Sequence, residues 1–107
     1  MQINVRVVRQ SSGPGYVVKY CADFDTNDSA NVNVTISNTI PTDADPELVA
    51  MAQASIANGF SSILADRGLG ADVVVRDLVI HDVDFSEFAF KRFTMESLRE
   101  LLGESGA

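Results

Sequence analysis

Val32-Asn33-Val34-Thr35-Ile36-Ser37 alternates apolar and polar side chains without a break, the period of a strand buried on one side only. Successive strand residues face opposite ways, so Val32, Val34 and Ile36 must cover a core while Asn33, Thr35 and Ser37 meet water or a partner. Such a strand needs others beside it. Gln2 to Val8 supplies one, with Ile3, Val5 and Val7 opposed to Gln2, Asn4 and Arg6, and Tyr16 to Phe24 supplies another. Ser11-Ser12-Gly13-Pro14-Gly15 separates these two, because proline gives the ladder no N–H and glycine favours turns. Asp25-Thr26-Asn27-Asp28-Ser29 is the polar turn that separates the second from the third. Three strands joined by short turns are expected to form an antiparallel meander.

The period then changes. Asp45 is placed as a helix N-cap, with Pro46 at the first helical position and Glu47 near the positive end of the dipole. Leu48, Ala52, Ile56, Phe60 and Ile63 recur every three or four residues to Asp66, and Gly68 supplies the stop. Asp72 to Ile80 is expected to be a fourth strand inside the sheet, since Val73-Val74-Val75 is too continuously apolar for a wet edge. Asp84 as N-cap with Glu87 three residues later, a box-like pair, predicts a second helix to about Leu102. Its apolar residues spread wider than one sheet needs. Phe90, Met95, Leu98 and Leu102 are therefore candidates for an oligomer face, the alternative being a helix wrapped by the protein's own loops.

At 107 residues, the chain has room for one core, expected over residues 1–102 with a frayed tail from Gly103 to Ala107. Fifteen acids against eight bases leave a net charge of -7 and a pI near 4.4, so the average field repels phosphate backbones and anionic lipid. Free nucleic-acid coating and membrane binding are not expected. The single cysteine, Cys21, has no partner in the chain for a disulfide and reads as a small buried strand residue. No apolar run approaches the roughly 20 residues of a bilayer span, and Met1 to Gln10 alternates instead of forming a signal peptide. A cytoplasmic protein is expected. On that reading the triplets Asn27-Asp28-Ser29 and Asn33-Val34-Thr35 carry no glycosylation signal.

Two clusters could in principle carry chemistry. Asp23-x-Asp25-x-Asn27 has the opening spacing of a calcium loop, but Asp28 stands where glycine is needed and Val34 where a bidentate glutamate is needed. A solvated hairpin turn is the simpler reading. His81-Asp82-Val83-Asp84, with Glu87 beyond, gathers one imidazole and three carboxylates after a strand, as a metal or acid/base site would. Asp84 and Glu87 already have helix-starting work there. With one histidine and a buried cysteine the inventory for an activated nucleophile is thin. Gly13-Pro14-Gly15 precedes a strand, so its amides form no phosphate cradle at a helix start. The bases are scattered, and Lys91-Arg92 is most simply a solvated helix flank. These residues predict neither an enzyme nor a cofactor.

Three segments together resemble domain IV of translation elongation factor G. Arg9-Gln10-Ser11-Ser12-Gly13-Pro14-Gly15-Tyr16 is similar to the family's Arg-Gln and glycine-rich turn into its second strand. Ile40-Pro41 followed by a helix through Asn58-Gly59 matches the family's Ile-Pro and first helix. His81-Asp82-Val83-Asp84-Phe85-Ser86-Glu87-Phe88-Ala89-Phe90-Lys91 is similar to the family's His-Asp/Glu-Val-Asp-Ser-Ser-Glu-x-Ala-Phe-Lys almost position by position. The resemblance implies an α+β two-layer sandwich, a four-stranded mixed sheet in β-β-β-α-β-α order with two helices on one face, like the second domain of ribosomal protein S5 with its left-handed crossover. It also implies a binding arm that reaches the decoding region of the small ribosomal subunit. Its tip would hold Gly13, Pro14, Gly15, His81, Asp82 and Asp84, and GTP hydrolysis would belong to a different domain. Two departures bear on that role. The stretch before His81 is shorter than in the family, which predicts a blunter tip, and Ser11, Ser12 and Pro14 bring no charge where the family commonly has basic groups. A ribosomal or translation partner is the expectation from resemblance; a protein partner or homodimer is the alternative that suits an acidic surface.

Overall fold

The computed structural model describes residues 1–9 and 15–103. Strand β1 (Gln2–Arg9) pairs antiparallel with β2 (Tyr16–Asn27) in an unbroken register from Gln2↔Asp23 to Arg9↔Tyr16. The third strand, β3 (Val32–Ile36), does not continue this hairpin. After it come the short β4 (Thr39–Ile40), helix α1 (Pro46–Leu64), β5 (Gly70–Arg76), the short β6 (Leu78–Val79) and helix α2 (Glu87–Leu101). β5 lies antiparallel to β2 and parallel to β3, which gives a four-stranded mixed sheet in the order β1-β2-β5-β3.

The expected meander is therefore wrong in its third strand, while the expected interior place of the valine-rich strand is right. The turn after β2 swings β3 one strand further out. The Asn31 carbonyl accepts from Ala71 N–H at 3.0 Å, and a Cβ on Gly70 would stand 2.2 Å from that same oxygen. Only glycine fits there. β3 and β5, joined through a 19-residue helix, have the long connection that a parallel pair requires.

The segment expected as one strand to Ile80 is broken at Asp77, whose φ is 54°, a left-handed conformation that short polar residues tolerate best. Asn38 holds it from both sides: its Oδ1 accepts from Asp77 N–H and its Nδ2 donates to Asp77 Oδ1, each at 3.0 Å. Beyond the break, β4 and β6 form their own two-stranded parallel ladder.

Both helices cover one face, which makes the molecule a two-layer α+β sandwich. Ile3, Val5, Val18, Tyr20, Ala22, Phe24, Ala71, Val73 and Val75 are buried from the sheet side, and Ala52, Ile56, Phe60, Ile63, Leu64, Phe90 and Leu98 from the helix side. Phe24 meets Phe60 edge-on at 5.0 Å between centroids. α1 starts as expected, with Asp45 Oδ1 accepting from Glu47 N–H at 2.9 Å. A turn of 3-10 helix (Ala65–Arg67) then stops at Gly68, φ 68°. Pro46–Arg67 is long and apolar enough to cross a membrane by length and composition, although no apolar run of that length was expected; its apolar stripe lies against the sheet. The helices touch where Gly59 meets Thr94: a Cβ on Gly59 would be 2.9 Å from Thr94 Cβ and Cγ2. Cys21 is buried as expected, on the opposite face, with Sγ 3.3 Å from Asn4 Oδ1.

Candidate functional site

The direction of each element decides what meets at the end of the sheet. β1, β3 and β5 finish at the same end, where β2 begins. α1 starts there too, since Val49 lies beside Ile36 and Ala57 beside Val32. α2 runs the same way, and its late residues Ser97 and Glu100 lie beside Gln2 and Asn4. The loops between these elements thus collect at one end, and Gly15, His81, Asp82 and Asp84 belong to them. Gly13 and Pro14 lie outside the described residues.

Gly15 and Asp84 are in direct contact. Val17 N–H donates to the Asp84 carbonyl at 2.9 Å, and a Cβ on Gly15 would sit 2.4 Å from the Arg9 carbonyl oxygen and 3.1 Å from Asp84 Oδ1. Glycine is needed because the Arg9 carbonyl leaves no room for a Cβ, with Asp84 Oδ1 closing in from the loop before α2. On its other side Asp84 N–H donates to His81 Nδ1 at 3.2 Å, and the Asp84 carboxylate lies 3.6 Å from the same nitrogen. Nδ1 can accept from that N–H or donate to that carboxylate, one at a time.

The cap of α2 is Ser86, not Asp84. Ser86 Oγ accepts from Ala89 N–H at 3.1 Å, and Glu87 is the first helical residue rather than the far side of a capping box. Asp84 is unavailable because its carbonyl serves Val17 and its N–H serves His81. Phe85 precedes the cap and packs 5.5 Å from the Phe90 ring. That pair is a hydrophobic staple, which sets the angle at which the loop enters the helix. The Phe85/Phe90 spacing around Ser86 was the signal that would have found the true start.

Of the four residues expected on an oligomer face, two point into the core. Phe90 and Leu98 are wholly buried, and Met95 and Leu102 are partly buried against the core. The apolar residues that α2 leaves outside are Phe88 and Leu101, and the loop before it presents Val83, 86% exposed. No periodicity marked Val83, since it stands alone between two aspartates.

His81 and Asp82 are exposed and Asp84 half-buried. Among the described residues, no group of three or more His, Cys, Asp or Glu is placed to hold a metal ion. Asp23, Asp25 and Asn27 lie along β2 itself rather than in a loop, and Asp23 is paired with Arg76 at 3.0 Å, which raises the guanidinium further above its ordinary range through that hydrogen bond and charge. Asp82 beside His81 is exposed, as are Asp43 and Asp45 on the segment after β4, Arg9 at the end of β1, and Glu87 and Lys91 at the start of α2. No protein-family model matches the chain, and no curated protein is detectably similar to it.

Proposed function

We propose that the chain is a non-catalytic binding module that docks on a basic protein surface through the end of the sheet where Gly15, His81, Asp82 and Asp84 meet. One observation carries this reading: Val83, 86% exposed, sits on a loop tied through Asp84, whose carbonyl accepts from Val17 and whose N–H donates back to His81 across Val83. A tethered apolar side chain flanked by the carboxylates of Asp82 and Asp84 suits an apolar notch edged by lysine or arginine, because the pre-set loop loses little freedom on binding. Those carboxylates and the net charge of -7 disfavour RNA phosphate for the same electrostatic reason.

A second reading, a ribosome-facing arm like domain IV of translation elongation factor G, is favoured by one feature. Gly15 and His81, which carry that resemblance from distant parts of the chain, stand at the same end of one α+β sandwich. In the fold of ribosomal protein S5's second domain the crossover is left-handed, and on this reading β3-α1-β5 would be the corresponding unit. A pull-down from lysate, with and without ribonuclease, separates the two. Capture that survives ribonuclease and is lost with Val83→Asp supports the protein-docking reading. Recovery of ribosomal material that needs intact RNA and His81 supports the arm. Capture indifferent to both Val83 and His81 overturns both.

A further inference from the structure

The two edges of the sheet are finished differently. On β3 the outward carbonyl of Val34 accepts from Gln53 Nε2 of α1 at 2.6 Å, so the middle of that edge is closed. Among the described residues β1 has no such cover. Met1 exchanges both its bonds with Phe24 (2.8 Å each), and the register then alternates, so Ile3, Val5, Val7 and Arg9 bond β2. The N–H and C=O groups of Gln2, Asn4, Arg6 and Val8 therefore point away from the sheet, and all four residues are exposed. β1 has neither proline nor bulge to spoil it, the devices that usually keep an edge single.

We propose that the occupant of this edge is a second copy of the chain, added antiparallel through β1 with Val5 on the two-fold axis. The self-complementarity of the strand selects both occupant and register. Centred on Val5, Gln2 faces Val8 and Asn4 faces Arg6 of the second copy, and every outward N–H and C=O of the four residues finds a partner. Centred on Asn4, the groups of Val8 are left over. Centred on Arg6, two guanidiniums oppose each other, which is unfavourable between directly facing residues. In the chosen register Arg6, the only charged β1 side chain on the open face, meets an amide that can accept from it. On the helix side Val5 meets Val5 and Ile3 meets Val7, which extends the apolar layer across the axis. Because the strands are antiparallel, the two His81 ends point in opposite directions and stay free.

Sedimentation equilibrium over a concentration series, with circular dichroism to verify the fold, tests the interface. The full chain is expected to dimerise. Asn4→Arg places a guanidinium opposite Arg6 twice per dimer and is expected to raise Kd on the order of tenfold. Adding Arg6→Glu to it restores the affinity, because the introduced guanidinium then faces the introduced carboxylate. A folded chain that stays monomeric throughout overturns the proposal. A dimer that ignores Asn4→Arg, or is not rescued by the double variant, overturns the register and the surface together.

Discussion

α1 and α2 lie on the same face of the sheet, yet they are held by different means. α1 carries one charged residue, Glu47, and buries Ala52, Ser55, Ile56, Gly59, Phe60, Ile63 and Leu64. α2 carries six charges and buries only Ala89, Phe90, Thr94 and Leu98, with Arg92 engaged on its surface by Glu96 at 3.8 Å and lying over the Phe93 ring. α1 is a core element by composition. α2 is fastened through a few deep residues and a staple, and its other side is left to water, so the same helix joins the core to the candidate docking loop.

That contrast is broken most directly at α2's own phenylalanines. Phe90 is fully buried against Tyr20 and Phe85, whereas Phe88, two residues away and so across the helix, is 75% exposed. Phe90→Ala is expected to destabilise by about 3–5 kcal/mol, and Phe88→Ala by no more than about 0.5 kcal/mol, measured by urea unfolding. Equal losses would mean that α2 is as deeply seated as α1. The next largest effect lies where the helices touch. Gly59→Ala drives a methyl group into Thr94 and the Lys91 carbonyl and is expected to cost about 1–3 kcal/mol, although alanine is the better helix former. Thr94→Ser, which removes Cγ2, recovers part of that loss, and a double-mutant cycle measures how much.

The caps sharpen the comparison at smaller scale. Asp45→Ala and Ser86→Ala each remove one acceptor from a helix start and are each expected to cost about 1 kcal/mol. Asp84→Ala leaves the α2 cap in place, so its effect belongs to the loop and to docking. A Ser86→Ala protein as stable as the original, beside a destabilised Asp84→Ala, would return the cap to Asp84.

How far the sequence reveals this molecule follows from the same contrast. α1 is legible because its cap, its proline, its stripe and its glycine stop agree, and each acts within a few residues. The alternation of β1, β2 and β3 gives the strands and their buried sides. The partner of β3 is not written locally: it depends on Gly70 meeting Asn31 across a long stretch of chain. The break at Asp77 likewise depends on Asn38. At the candidate site, Gly15 and the His81 loop are visible as turn chemistry. Their contact through Asp84 and the exposure of Val83 are tertiary facts, and the pull of Val17 on Asp84 is what moves the cap to Ser86. The wide apolar wheel of α2 misplaces Phe90 because a wheel counts residues without knowing that Tyr20 of the sheet and Phe85 of the preceding loop cover it.

A smaller effect than the caps at neutral pH turns on Tyr20, whose hydroxyl meets the Thr94 hydroxyl in the core and so ties β2 to α2. Tyr20→Phe removes that hydrogen bond but leaves a threonine that can turn to a backbone carbonyl of its own helix, so the loss is expected near the low end of about 0.5–1.5 kcal/mol. The pH dependence is more telling. Burial pushes the Tyr20 phenol well above its ordinary 10.0, with the Thr94 hydrogen bond pulling weakly the other way. A group whose folded pKa is raised contributes stability that is fully present below the unfolded value and is lost as pH climbs from there through the folded value. The protein with Tyr20 is therefore expected to lose stability faster above pH 10 than Tyr20→Phe does, and the two unfolding curves converge and then cross. Parallel curves through that range would show that water reaches the phenol, and that α2 is held to the sheet less tightly than its buried residues imply.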